Sequence, residues 1–121
     1  MFTNKPLLQI VILLLFLGLA GRASAHAVVT ESSLEIAPVT ADQATEIKLN
    51  FNSHIELGLS QIFLVSAGDR QTLLEAVTGS RLGQIIVSLP PLPPGEYALR
   101  FKVFAADGHL TEDIIHFIVT K

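Results

Sequence analysis

The sequence predicts an all-β fold, an immunoglobulin-like Greek-key β-sandwich or barrel of about seven strands. Three features point to it. Apolar and polar residues alternate along most of the chain beyond residue 26, the period-two pattern of strands with one buried face. Clusters of Gly, Pro, Asp and Ser recur between those runs, where turns are needed. No strong 3.6-residue period competes after the first 25 residues, so no amphipathic helix enters the count.

Each segment follows in order. Lys5 precedes an apolar run from Pro6 to Ala20, and Ala23-Ser24-Ala25 is a small-x-small cleavage pattern. The apolar run is shorter than the roughly 20 residues of a spanning helix. Residues 1–25 are therefore expected to be a cleaved secretory signal peptide, leaving 26–121 as one small domain with no membrane span. Residues 26–31 form the first expected strand. In the second, Ile47, Leu49 and Phe51 alternate with Lys48 and Asn50. The third covers 61–66 and ends at the turn Ala67-Gly68-Asp69-Arg70. Residues 72–77 and 84–89 are the fourth and fifth. In the sixth, Tyr97, Leu99, Phe101 and Val103 face inward, with Arg100 and Lys102 opposite. Ile115, Phe117 and Val119 form the inward row of the seventh. Pro90-Pro91-Leu92-Pro93-Pro94-Gly95 cannot donate ladder hydrogen bonds, so it should be a stiff crossing between sheets.

Composition narrows the function. Loss of Lys5 and Arg22 lowers the whole-chain charge of −3 by two, and no basic run is present. Nucleic acid is excluded as a partner, because its binding needs clustered Lys and Arg to displace counterions. The chain has no cysteine, and its single methionine is Met1. Thiolate metal centres and thiol nucleophiles are ruled out, and any metal site must use nitrogen and oxygen donors. The leader itself points to bacterial export, to the periplasm or beyond.

If successive strands reverse direction, one pole of the sandwich collects the start of the mature chain, residues 52–58 and residues 105–111. His26, His54, Asp107 and His109 then share that pole. Cleavage before His26 creates an α-amine on the residue that carries an imidazole, and the two nitrogens can chelate one ion. Asp107 and His109 are separated only by Gly108, so both can aim inward. An amine, two imidazoles and a carboxylate suit a tetragonal Cu(II) site, and nickel less strongly. Read alone, Asp-Gly is a common turn, His54 is an ordinary loop histidine, and His116 between Ile114 and Ile118 fills a strand face. Glu56, Glu112 and Asp113 read as surface charge.

The mature chain resembles the CopC family of periplasmic copper-binding proteins along nearly its whole length. The likeness is carried by His26-Ala27-Val28-Val29, Ile47-Lys48-Leu49-Asn50-Phe51 and Leu89-Pro90-Pro91-Leu92-Pro93-Pro94-Gly95-Glu96-Tyr97. It continues in Val103-Phe104-Ala105-Ala106-Asp107-Gly108-His109 and Phe117-Ile118-Val119. The resemblance implies a small β-barrel binding protein, not an enzyme, that holds one Cu(II) through His26, Asp107 and His109. It implies copper carriage, buffering or resistance in the periplasm, beside a separate CopD-like inner-membrane copper protein. Some members place a glutamate where this chain has Ser53, leaving His54 as the candidate fourth ligand. Others have a methionine-rich Cu(I) site, which a mature chain without methionine does not share. The alternative is a small copper-dependent oxidative enzyme, a histidine-brace monooxygenase. Against it stand the short loops and an Asp107 that takes a position oxygen chemistry needs open.

Overall fold

The computed structural model describes residues 27–121. The expected leader and His26 lie outside the described residues. The strands are β1 (Val29–Ser32), β2 (Val39–Thr40), β3 (Thr45–Phe51), β4 (Gln61–Ser66), β5 (Arg70–Leu73), β6 (Ala76–Thr78), β7 (Gln84–Leu89), β8 (Gly95–Phe104) and β9 (Leu110–Thr120). A single helical turn, α1 (Ser33–Ile36), and a 3-10 turn, Leu57–Leu59, complete the described elements.

Two sheets form the expected sandwich, one ordered β1-β3-β7-β6 and the other β2-β9-β8-β4-β5. The inward rows read from the sequence make the core. Ile47, Leu49 and Phe51 from β3, Ile85, Val87 and Leu89 from β7, and Leu99, Phe101 and Val103 from β8 are all buried. Phe51 and Phe101 meet edge to face across the sheets, centroids 5.7 Å apart. Such a pair adds about 0.5–1.5 kcal/mol beyond its area burial. The proline segment crosses from β7 in one sheet to β8 in the other, as expected. The Tyr97 hydroxyl donates to the Pro93 carbonyl at 2.8 Å and its ring stacks on Phe117, pinning that crossing to the core.

Nine described strands replace the expected seven for two reasons. The segment 72–77 is two strands rather than one: β5 pairs with β4, whereas β6 pairs with β7 in the other sheet. The switch falls at Leu74 and Glu75. Leu74 is buried and its N–H donates to Ile62, while the Glu75 carbonyl accepts from Ser88. The second addition is β2, which pairs in parallel with β9 at Val39 and Thr40. Between β1 and β2, the Ser32 hydroxyl caps α1 by accepting from the Leu34 N–H at 3.2 Å. Ser32 and Glu35 stand at the spacing of a capping box, a readable signal. None of the described helices is long and apolar enough to cross a membrane.

The chain switches sheets between β5 and β6, so these two edge strands lie on one flank. The remaining edges, β1 and β2, then share the opposite flank.

Candidate metal centre

Three segments meet at the end of the sandwich where β3 and β8 finish and β1 and β9 begin. The first is held to the second by an exchange of hydrogen bonds: the Val28 N–H donates to Asn52 Oδ1 at 2.8 Å, and the Asn52 N–H donates to the Val28 carbonyl at 3.0 Å. The second is stitched to the third. Ile55 bridges to Ala105, the Ala106 N–H donates to the His54 carbonyl, and the Glu56 N–H donates to the Phe104 carbonyl. Ser60 Oγ accepts from the Phe104 N–H and donates to the Glu56 carbonyl, which closes the network. The pole predicted by strand counting therefore exists for residues 52–58 and 105–111, and Ala27, fully buried, leads into it.

The turn between β8 and β9 is shaped by Gly108. Its φ is +87°, and a Cβ there would meet nothing within 4 Å. Glycine is used for its left-handed backbone, not for space. The Gly108 N–H donates to the Ala105 carbonyl, and the Ala105 N–H donates to the His109 carbonyl. Within this turn Asp107 closes on His109 with both oxygens: Oδ1 accepts the His109 N–H at 3.0 Å and Oδ2 lies 2.9 Å from His109 Nδ1. The His109 ring hydrogen bond, followed by its backbone N–H, holds the Asp107 carboxyl below its ordinary value of 3.8.

The 2.9 Å separation has a second chemical meaning. Two donors bound at right angles about 2.0–2.1 Å from one ion are roughly 2.8–3.0 Å apart. The Asp107–His109 pair can thus hold either a shared proton or a cation between adjacent donors. Its oxygen and imidazole nitrogen suit a borderline divalent metal rather than a soft monovalent one.

His54 reaches the same pole but takes a different partner. Its Nε2 is 3.6 Å from Glu56 Oε1, with both side chains about half exposed. No group of three or more His, Asp or Glu converges on one point among the described residues, so His54 does not join Asp107 and His109 in a three-donor set there. His116 is exposed on the outward face of β9 opposite Ala98, far along the strand from the turn. Glu112 is engaged by Arg100 at 3.5 Å and Lys102 at 3.9 Å, on the outer sheet face. A depression of about 400 Å³ is lined by Leu57 to Ile62, Leu73, Leu74 and Ala76, none of them a candidate donor.

Two contributors were missed in the sequence. Asn52 anchors the β1 segment by its side chain, and Glu56 faces His54 two residues away. The i, i+2 spacing of His54 and Glu56 repeats that of Asp107 and His109, which is the signal that could have found it.

The CopC domain model matches residues 29–120. No curated protein sequence matches the chain significantly. Among solved structures, CopC from Methylosinus trichosporium OB3b is similar, with a TM-score of 0.66 at 22% identity, covering 78% of this chain and 94% of that one. PcoC from Escherichia coli, described as a methionine-rich copper resistance protein, has a TM-score of 0.59 at 21% identity and covers 78% and 99% respectively. These likenesses show a shared fold. The domain match extends over nearly all of the described residues, and the chain belongs to the CopC family.

Proposed function

We propose that this protein is a periplasmic Cu(II) carrier or buffer that serves copper resistance and is not an enzyme. One observation carries the reading: a carboxylate and an imidazole stand 2.9 Å apart, in a turn locked to the pole where the chain enters the fold. Family membership and a fold shared with a copper resistance protein support it. Cleavage after Ala25 frees the α-amine of His26, and the amine and imidazole complete a nitrogen-rich set with His109 and Asp107. Copper is the cargo, and the leader delivers the protein to the periplasm. A separate CopD-type membrane protein is the partner that the family suggests. His54 stands ready as a fourth donor if its ring leaves Glu56.

The mature chain has no methionine or cysteine, so Cu(I), which favours sulfur donors, has no comparable site. Asp107 occupies a position that oxygen activation needs open, which sets this site apart from a monooxygenase centre.

The test is native mass spectrometry and Cu(II) titration of three forms: the exported protein, one retaining Ala25, and one acetylated at His26. The expected result is an N-terminus at His26, one Cu(II) bound, and sharp weakening in both blocked forms while the fold is kept. Equal affinity in the blocked forms overturns the role of the α-amine. An exported protein without Cu(II) affinity overturns the whole reading.

A further inference from the structure

One edge of β9 is left open by the fold. On one side the strand pairs with β8 in an unbroken register, from Val119 opposite Gly95 to Leu110 opposite Phe104. On the other side, among the described residues, β2 alone pairs with it, and only at Val119 and Thr120. The Ala105 N–H donates to the His109 carbonyl, so the alternation of an antiparallel ladder turns the backbone groups of odd-numbered β9 residues toward β8. Those of Leu110, Glu112, Ile114 and His116 then point to the open edge, as does the Thr120 carbonyl that accepts from Ala41 on that side. Sheet edges are commonly blunted by lysine, proline or a bulge, and residues 110–118 have none of these. A single guard is present. Asp113 is exposed, and its Oδ1 accepts the Ile114 N–H at 2.8 Å, which closes the central donor of the edge. On the outer sheet face above it, Leu110, Ile114 and Ile118 are 44%, 43% and 58% exposed.

We propose that this edge pairs with β9 of a second copy of the chain, antiparallel about a two-fold axis at Ile114, joining two sheets into one. The order of residues argues for that occupant, because an isologous contact must be complementary to itself. Pairing about Ile114 sets that residue against its own counterpart, Leu110 against Ile118 and Glu112 against His116. Apolar meets apolar and a carboxylate meets an imidazole, the kinds of cross-strand pair that stabilise a ladder. Moving the axis to Asp113 or Ile115 keeps every side chain on its face but sets Glu112 against Ile114 or Ile118. Pairing also requires Asp113 to release the Ile114 N–H, which then donates to the carbonyl of the same residue in the second copy. The two β8–β9 turns lie at opposite ends of the seam, with the Leu110 positions roughly 27 Å apart along the ladder. The inference is therefore independent of the copper reading.

The chain has no cysteine, so one introduced thiol reports the axis. Cα atoms of a hydrogen-bonded antiparallel pair are about 5.5 Å apart, within the span of a disulfide. Under mild oxidation of the exported protein, Ile114→Cys should give a disulfide-linked dimer. Ile118→Cys, more exposed but set against Leu110, should give little. Sedimentation velocity of the parent should show a dimer that grows with protein concentration. Ile114→Lys sets like charges against each other at the axis and should abolish it. Asp113→Ala spares the bond that each copy gives up and should tighten the dimer about tenfold. Hydrogen exchange at the Glu112, Ile114 and His116 amides should slow as the dimer fills. A parent that stays monomeric at its highest soluble concentration, or an Ile118→Cys that cross-links as fast as Ile114→Cys, overturns the proposal. Monomers whose edge amides are nonetheless protected overturn it too, since another segment then covers β9.

Discussion

Gly83→Ala is the substitution whose cost the structure sets most directly, because it acts on the platform beneath the His54 segment. Gly83 has a φ of +76°, and a Cβ built on it would lie 2.5 Å from the Phe51 carbonyl oxygen and 2.8 Å from that of Ser53. Placing an L-residue in the left-handed region costs about 1–2 kcal/mol. The steric term is separate. Both contacts are with backbone, so relief requires moving the end of β3 and stretching the Phe51 N–H to Gly83 carbonyl bond of 2.8 Å. Overpacking of this kind adds about 1–3 kcal/mol. Against these, alanine restricts the unfolded chain and returns about 0.4–1 kcal/mol. The net loss is about 2–3 kcal/mol, or a fall in melting temperature of roughly 10–20 °C for a domain of this size. Gly68→Ala is the control, since Gly68 has a φ of +77° but an added Cβ meets nothing within 4 Å. It carries only the backbone term and should cost about 1 kcal/mol or less after the unfolded-state gain. Urea and thermal unfolding of both variants measure the difference. If Gly83→Ala is no worse than Gly68→Ala, the close packing of residue 83 under Phe51 and Ser53 is wrong.

Copper titration should show one Cu(II) per mature chain and no tightly held Cu(I); two sites, or a preference for Cu(I), contradict the oxygen and nitrogen donor set. In a ligand series read by chelator competition, His26→Ala and His109→Ala should cripple binding, Asp107→Ala should weaken it, and His116→Ala should leave it nearly unchanged. His54→Ala should cause a smaller loss than Asp107→Ala, because its ring faces Glu56 rather than the Asp107–His109 pair. Stability without metal should respond to acid through Asp107, whose carboxyl is held below 3.8 by His109. A depressed folded-state value means its contribution is complete above about 3.8 and lost as pH falls through the lower value; parent and Asp107→Ala should therefore converge in strong acid. Melting curves from pH 7 to 2 check it, and a gap that widens in acid reverses the sign.

Strand positions were legible where alternation was clean. Ile47, Leu49 and Phe51 could face only one core, and the same holds for Leu99, Phe101 and Val103. Residues 72–77 were not legible, because Leu73 and Leu74 are adjacent apolar residues that satisfy a strand of either register. Only the competition between two sheets decides that Leu74 goes in and Glu75 starts the switch. The two-residue β2 has too few positions to show a period, and its pairing with β9 is a tertiary event. At the site, Gly108 between Asp107 and His109 announced a turn with two donors. Their mutual closure was not readable, since it depends on Asp107 capping the His109 N–H as well as facing its ring.

The carrier role proposed above draws on the exposure of the Asp107–His109 pair. The His109 side chain is 59% exposed and that of Asp107 38%, yet the backbone leading into their turn is tied to the distant segment His54 to Ser60 by several bonds. A tied backbone beneath solvent-exposed side chains has a specific consequence. Ordering the ligands costs little at the moment of binding, so affinity can be high without burial. In the proposed role, exposed side chains also leave room for an acceptor to approach and take over ligands one at a time, a low-barrier route for handing on an ion. Under the proposed carrier role, a pole firm below and accessible above suits receiving an ion and releasing it to a partner.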